Sequence, residues 1–262
     1  MKKKITILIS IVILAALAIG GSTYALFVDS ATNTGNTFMA GTLSIDSYRD
    51  GFDTIPGPMF YTTPNEGATP TNPSFKGLKP TGIWAPGDTH IRSLVVYNDA
   101  SLDAVLDKVS AQVEADTKGM ASQMNVAVYK ILPKYLPNGT PFAPIPGDDC
   151  LDQDLLDHAS RTINPLILMA NAFGVEDLTQ KLIENQVQCN AVRLYSGKLS
   201  DLVSVEQSFS QGVAMKSKNN QFVKRGCLLA FVVQLDKNAG NEYQDADAQF
   251  GFTVTARQAK NQ

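Results

Sequence analysis

Histidine, cysteine and acidic residues are the side chains of this sequence whose types could support catalysis or metal binding. The chain has two histidines, His90 and His158, and no His-Glu-x-x-His motif, so a local two-histidine zinc site is not expected. It also lacks the Gly-x-Ser-x-Gly motif of serine hydrolases and the glycine-rich loop that binds phosphates. We therefore predict no catalytic residue, no metal site and no cofactor.

An acidic group in the middle of the chain is the best candidate for a metal site. It lacks the glycine and the terminal glutamate of a calcium-binding helix–loop–helix motif. Acidic side chains also favour the first turn of a helix, where they face the positive end of its dipole. A solvated helix face is therefore the favoured interpretation of Asp148, Asp149, Asp152, Asp154 and Asp157.

The three cysteines, Cys150, Cys189 and Cys227, allow one disulfide and one remaining thiol. Cys150 and Cys189 both lie in a polar, helix-prone region, whereas Cys227 begins an apolar, strand-like segment. We predict a Cys150–Cys189 disulfide with Cys227 buried. A zinc site is not favoured, because the cysteines are scattered and form no close ligand pair.

Residues 1–25 have the features of a signal peptide. Three lysines precede an apolar segment, and Thr23-Tyr24-Ala25 is a small–bulky–small cleavage motif, so cleavage is expected between Ala25 and Leu26. An uncleaved membrane anchor is the alternative, but the apolar segment is short for a membrane span. Loss of the three lysines moves the formal net charge from −3 to −6. An acidic chain without a basic cluster argues against nucleic acid as a partner, and no stable membrane span is expected after cleavage.

The elements that would position these residues are mainly β-strands. Phe250, Phe252, Val254 and Ala256 alternate with small or polar residues, the period of a half-buried strand. Half-buried antiparallel strands form sandwiches or barrels. Further strands are predicted at 38–47, at 91–98, at 105–114 with Val105, Val109, Ala111 and Val113 on one face, at 124–132 and at 227–235.

Two segments interrupt the β pattern. Residues 48–86 are rich in proline and are predicted to form a long irregular loop. Residues 148–209 contain apolar positions at helical spacing and are predicted to be a helical insertion. One helix is expected at 150–158, capped by Asp148 and Asp149, and another in 200–209. Because strand patterns resume afterwards, we interpret 26–262 as a single β domain.

Three blocks of the sequence, in order, resemble the TasA/camelysin family. The first runs from Gly20 to Ile45 and includes Asn36-Thr37-Phe38-Met39-Ala40-Gly41-Thr42-Leu43. The second is Ala85-Pro86-Gly87-Asp88 before a predicted strand. The third is Ala239-Gly240-Asn241-Glu242-Tyr243-Gln244, followed by Phe250-Gly251-Phe252 and Ala256-Arg257-Gln258.

The resemblance implies a jelly-roll-like antiparallel β-sandwich with helical insertions in the connecting loops. It also implies cleavage by a dedicated signal peptidase and export to the extracellular matrix or cell surface of a bacterium. The implied function is structural and not enzymatic: a subunit of biofilm-matrix or cell-surface fibres, with itself and related matrix subunits as partners. Two alternatives remain, a camelysin-type secreted metallo-endopeptidase and an accessory subunit that caps or nucleates fibres.

Residues 26–37 are the predicted contact between fibre subunits. The resemblance implies that this N-terminal segment completes the sheet of the next subunit in a head-to-tail polymer. Its first residues are Leu26, Phe27, Val28, Asp29 and Ser30. A polar segment with few apolar anchors is suited to adding a strand to a neighbour's sheet. The alternatives are a disordered tail and an ordinary first strand.

Overall fold

The computed structural model describes residues 28–32, 38–40, 43–49, 59–61, 84–156, 189–218, 224–243 and 246–259. Their strands form two sheets. Sheet I contains β1 (Val28–Thr32), β4 (Phe60–Tyr61), β6 (Ala104–Asp116), β10 (Gln207–Met215) and β12 (Ala248–Gln258). Sheet II contains β2 (Phe38–Ala40), β3 (Leu43–Arg49), β5 (Thr89–Asn98), β7 (Met124–Pro133), β8 (Leu151–Asp152), β9 (Cys189–Lys198) and β11 (Arg225–Leu235).

The strand pairs of both sheets are antiparallel. Sheet I has the order β1-β12-β6-β10, with β4 also paired to β12. Sheet II has the order β2-β3-β5-β11-β7-β9, with β8 also paired to β11. The two sheets share one apolar core, so the predicted antiparallel β-sandwich is confirmed. Its jelly-roll connectivity stays a prediction.

The core between the sheets follows from the alternation in β12. Phe250, Phe252, Val254 and Ala256 are all buried, as the sequence pattern predicted. The Phe252 ring stacks on Phe231 of sheet II, with ring centroids 4.7 Å apart. Burial of each phenylalanine contributes about 1.5–3 kcal/mol to folding, so this aromatic contact between the sheets is a main stabilising element.

The prediction that Val105, Val109, Ala111 and Val113 share the inward face of β6 is wrong at Val105. Ala256 and Thr255 of β12 pair with Leu106 and Lys108, so the register shifts by one residue at this point. Leu106 is therefore buried with Val109 and Ala111, whereas Val105 is only half-buried. An extra residue in one strand of a pair reverses which side chains face the core, and simple alternation in a sequence does not reveal it.

The central strands of sheet II, β5, β7 and β11, are buried on both faces. Leu94, Val96, Leu229 and Phe231 face the core between the sheets. The opposite face carries a second apolar cluster, which includes Leu155 and Leu156 beyond β8. A strand covered on both sides reads as a continuous apolar run, which explains the sequence of β11. Members of the outer cluster on the sheet are Ile91, Val95, Tyr97, Ala127, Tyr129, Ile131, Leu151, Cys189, Leu228, Ala230 and Val232.

The predicted helical insertion at 148–209 is confirmed in part. Residues 153–156 and 199–204 are helical, whereas the described residues at 189–198 and 207–209 are strands. Residues 189–198 form β9, which pairs with β7, and residues 207–215 form β10. Between them lies a single short helix, α1 (Leu199–Ser204). Hydrogen bonds from neighbouring strands override weak local helix propensity, which is why the pattern misled. The stretch 157–188 lies outside the described residues.

The proline-rich segment 48–86 is described only in part. Residues 48–49 belong to β3, and residues 59–61 include the short strand β4. Met59, Phe60 and Trp84 are buried in the core between the sheets, so this segment supplies core side chains at these positions. No helix in the described ranges has the length and apolarity needed to cross a membrane.

Candidate functional site: the first strand and the clamped loop

β1 lies at an edge of sheet I and pairs with β12. The register runs from Val28 opposite Arg257 to Thr32 opposite Thr253, without interruption. The other side of β12 is occupied by β6. Among the described strands, β12 is the only hydrogen-bonded neighbour of β1. One row of backbone hydrogen bonds therefore connects this strand to its sheet.

The described strand that follows β1 in the chain does not belong to sheet I. The next strand, β2, belongs to sheet II, and the other strands of sheet I follow later in the chain. β4 pairs with β12 at Gln249 and Phe250, beyond the residues that pair with β1. Among the described strands of sheet I, β1 consequently has no hairpin partner, and its release would not break the pairing of β12 with β4 or β6.

The predicted subunit contact is thus partly described. Val28, Asp29 and Ser30 lie in β1 and pair within the same chain. This arrangement corresponds to the alternative of an ordinary first strand. The cleavage residues Ala25 and Leu26, the remaining predicted residue Phe27 and the whole of segment 1–25 lie outside the described residues.

The predicted disulfide between Cys150 and Cys189 is wrong. Cys150 is bonded to Cys227, with the two Cα atoms 4.1 Å apart. The cause is the pairing of β8 with Arg225 and Gly226, which brings Cys150 beside the start of β11. Cys189 lies opposite Pro133 in β9 and is buried in the outer cluster of sheet II. Cys227 is buried as expected, but within the disulfide.

Residues 134–150 form the loop that connects β7 to β8. Both of these strands pair with β11, on the same side of it. Leu228 of β11 pairs with Ile131 of β7, whereas Gly226 pairs with Leu151 of β8. The chain therefore leaves sheet II after Pro133 and re-enters it in line with β7. We call residues 134–150 the clamped loop, because its return is fixed by several strong contacts in addition to the disulfide.

Two ion pairs hold the end of the clamped loop. Asp148 accepts a hydrogen bond from Nε of Arg225 at 2.8 Å, and the Asp148 side chain is almost fully buried. Asp149 accepts one from Nζ of Lys130 at 2.6 Å, and the Lys130 side chain is also buried. Charged pairs shielded from water are screened little by salt and depend strongly on correct geometry.

Asp149 also connects the clamped loop to sheet I. Its backbone N–H donates to the carbonyl of Ala214 at 2.8 Å, and the Ala214 N–H donates to its carboxylate at 2.9 Å. Residues 148–150 are therefore bonded to β7, β10 and β11 at once. In the sequence, only the adjacent acids and the cysteine indicated that this region could be functional. We interpreted the acids as a solvated helix face, and the structure shows them in ion pairs instead.

The structure separates the acids that were considered for a metal site. Asp148 forms an ion pair with Arg225, and Asp149 forms one with Lys130. Asp152 accepts a hydrogen bond from the Leu155 N–H. In the part of the chain that the structure describes, no group of three potential metal ligands occurs. Asp157 and His158 lie outside this part.

His90 lies against Trp84 in the sandwich, with ring centroids 4.1 Å apart. Burial lowers the pKa of His90 from 6.5 to about 4; the nearby charge of Asp88 opposes this shift and that of Arg92 adds to it. Its Nε2 atom is buried without a hydrogen-bond partner among the described residues. The side chain is therefore a neutral, partly buried ring at neutral pH.

Comparison with known proteins gives no relative from which a function can be transferred. No family model, no curated protein and no solved structure matches this chain. The functional assignment therefore depends on the sequence pattern and on the geometry of β1 and the clamped loop.

Proposed function

We propose that this chain is a secreted structural subunit that assembles into biofilm-matrix or cell-surface fibres by exchange of β1 between copies. The observation that supports this most directly is the position of β1. It is an edge strand with one described neighbour, and the rest of its sheet is formed by later parts of the chain. The strand can leave its own β12 and pair with the β12 of another copy in the same register.

Exchange of β1 forms, between two chains, the same contacts that it breaks within one chain. The five residue pairs between β1 and β12 would be identical within one chain and between two chains. The net cost is then mainly the entropy of association, which a high local concentration of subunits reduces. If each copy donates to the next and accepts from the previous one, the contact is heterologous and produces a filament.

The leader and the cysteine chemistry support the proposed extracellular compartment. Residues 1–25 carry the features of a signal peptide, and a signal peptidase would act between Ala25 and Leu26. The buried Cys150–Cys227 disulfide is typical of a protein that folds in an oxidising environment. The principal partner is a second copy of the chain, with related matrix subunits as further partners. No cofactor is required.

Electron microscopy of refolded protein tests fibre formation. We expect the mature chain, residues 26–262, to form thin uniform filaments at high concentration in negative stain. A truncated chain, residues 38–262, lacks β1 and should fold as a monomer without forming filaments. Filaments of ordinary appearance from the truncated chain would contradict the exchange of β1.

A reversible crosslink tests the exchange itself. Ser30 and Thr255 are opposite each other, so Ser30→Cys/Thr255→Cys can connect β1 to β12. Oxidation before assembly should lock β1 within its own chain and prevent filaments, and reduction should restore them. Oxidation after assembly should give a ladder of covalent multimers on a non-reducing gel. Wild-type protein treated identically controls for reduction of Cys150–Cys227.

The remaining alternatives predict different results. An accessory subunit would stay monomeric alone but add to the ends of fibres of a related protein. A secreted metallo-endopeptidase would hydrolyse casein in a chelator-sensitive manner. Monomers alone, with only intramolecular crosslinks after oxidation, would reject the homopolymer and lead directly to these two assays.

A further inference from the structure

Lys130 is a buried lysine on a central strand of sheet II. It lies in β7, opposite Leu229 of β11 and Val192 of β9. Its side chain is 9% exposed, and its Nζ atom lies 2.6 Å from Oδ1 of Asp149. Among the described residues, four other lysines paired with carboxylates have side chains that are 36–50% exposed, namely Lys108, Lys198, Lys216 and Lys224. Compared with these pairs, the Lys130 amine contacts its carboxylate in a site shielded from water.

The Asp149 carboxyl group is held in a fixed position. Its Oδ2 atom accepts a hydrogen bond from the Ala214 N–H at 2.9 Å, and the Asp149 N–H donates to the Ala214 carbonyl at 2.8 Å. The next residue, Cys150, is joined to Cys227 by the disulfide. One carboxyl oxygen therefore contacts a backbone N–H, and the other contacts the Lys130 amine.

An amine and a carboxyl group held in this way have the geometry for condensation. A lysine amine is a nucleophile for carbonyl carbon, and groups fixed within ~3.5 Å of each other react as if their concentration were very high. The Ala214 N–H contacts the oxygen that would carry negative charge after attack on Cγ, as a donor in an oxyanion hole does. Shielding from water also removes the hydration that favours the separate charged groups.

We propose that the Lys130 amine and the Asp149 carboxyl group condense into an isopeptide bond after the chain folds. A proton passes from Nζ to Oδ1 along their hydrogen bond, which converts the ion pair into a neutral amine and a neutral acid. Nζ then attacks Cγ, and the N–C bond forms. A second proton moves from Nζ to Oδ1, the Cγ–Oδ1 bond breaks, and one water leaves. An ammonium and a carboxylate thus become an amide and water, without an oxidant, a reductant or a cofactor.

The adjacent ion pair shows why the lysine is essential. Asp148 is almost fully buried and is paired with Nε of Arg225 at 2.8 Å. A guanidinium group stays protonated in proteins and does not act as a nucleophile. Asp148 therefore remains in an ion pair, although its side chain is more buried than that of Asp149.

The bond would fasten the clamped loop to β7 in a way that thiols cannot reverse. It would join residues 19 apart in the sequence, beside a disulfide that joins residues 77 apart. A covalent crosslink restricts the unfolded chain, and an amide, unlike a disulfide, survives reduction. The inference does not depend on fibre formation, because it uses only contacts within one chain.

Mass spectrometry of the mature chain, residues 26–262, tests the bond directly. The protein is refolded, incubated at neutral pH, then reduced and unfolded before its mass is measured. We expect a mass lower by one water than the mass calculated from the sequence. Chain that is purified in urea and never refolded should have the full calculated mass, because the two reacting groups are not held together in it.

A tryptic digest locates the bond. Cleavage after Lys134 separates residues 119–134, which contain Lys130, from residues 135–161, which contain Asp149. The isopeptide bond should keep these two peptides together as one branched fragment and block cleavage after Lys130. A water lost elsewhere in the chain would leave the two peptides separate and would contradict the proposal.

Two lysine variants provide the controls. Lys130→Arg keeps a positive charge beside Asp149 but cannot form the amide, so it should have the full calculated mass. Lys216→Arg makes the same change in the exposed pair with Asp103 and should still lose one water.

The refolded wild-type chain decides the inference even if a variant fails to fold. A branched fragment that joins Lys130 to Asp149 supports the bond. The full calculated mass after prolonged incubation would overturn it and would leave this contact as an ion pair. Loss of one water that persists in Lys130→Arg would also overturn it.

Discussion

At the scale of single residues, His90 shows how burial determines protonation. Its ring lies beside Trp84, and burial lowers its pKa to about 4. An unfolded chain would bind a proton at this site below about pH 6.5. The unfolded state therefore binds more protons than the folded state between about pH 6.5 and 4. Stability contributed by neutral His90 is complete above this window and is lost as the pH falls through it.

We predict that the free energy of unfolding decreases by about 2 kcal/mol more in wild type than in His90→Gln between pH 7 and pH 4. This figure is reduced from the full effect of the pKa shift because the ring is partly exposed. Urea denaturation at several pH values measures the difference. Parallel pH profiles of the two proteins would show that His90 does not contribute, since the titration of carboxylates is common to both.

The ion pairs of the clamped loop are also features of single residues. Lys130 with Asp149 and Arg225 with Asp148 are shielded from water. Such pairs need not increase stability relative to apolar residues, but loss of one partner leaves an uncompensated buried charge. Their clearest structural effect is to fix where residues 148–150 lie against the sheets.

At the scale of elements, the disulfide connects the end of the clamped loop to β11. It joins cysteines separated by 77 residues, so it restricts the unfolded chain considerably. We predict that Cys150→Ala/Cys227→Ala loses about 3–4 kcal/mol of unfolding free energy. Denaturation in guanidinium chloride measures this loss. Cys189→Ala is the matched control and should lower stability only by the smaller effect of a trimmed core side chain.

Peptide mapping distinguishes this disulfide from the pairing expected from sequence. A digest of unreduced protein should contain Cys150 and Cys227 in one crosslinked fragment, with Cys189 recovered as a thiol. A fragment that joins Cys150 to Cys189 would contradict both the structure and the expected order of stabilities.

The strands show where local patterns suffice and where they fail. β5, β7, β11 and β12 were predicted close to their observed positions, because their valines and aromatics alternate or form apolar runs. β9 was missed because Asn190, Arg193 and Ser196 are exposed along it and conceal its pattern. Its pairing with β7 supplies hydrogen bonds that the local sequence does not indicate.

At the scale of the whole molecule, removal of β1 should leave a binding site for a strand. In the truncated chain 38–262, the β12 residues from Thr253 to Arg257 lose β1 as their pairing partner but keep β6 on the other side. We predict that a labelled peptide of residues 26–37 binds this chain saturably and raises its melting temperature. Fluorescence anisotropy measures the binding, and complete mature chain with locked β1 is the negative control.

A proline variant of the same peptide tests whether backbone pairing is responsible. In an antiparallel pair, the N–H groups of successive residues point to opposite sides of the strand. Replacement of both Ser30 and Ala31 by proline therefore removes one N–H that points toward β12, whichever residue carries it. The variant peptide should bind much more weakly. Equal binding of both peptides would exclude the β-strand pairing proposed for fibre assembly.

The sequence by itself determined the elements whose information is local. It specified the mainly β sandwich, several strands and the inward face of β12, because side-chain alternation follows from the geometry of a single strand. The resemblance to the TasA/camelysin family and the expected signal peptide likewise depend on short segments. These features led to the hypothesis of a secreted fibre subunit, which the experiments above test.

Only the tertiary structure decided which distant residues meet. It paired Cys150 with Cys227, placed β1 beside the last strand of its own chain, and separated the acids into two ion pairs. It also brought the clamped loop back into line with β7 and left its tip exposed. These contacts depend on strand order and register across the whole chain, and composition and spacing along the chain do not encode that order in any local pattern.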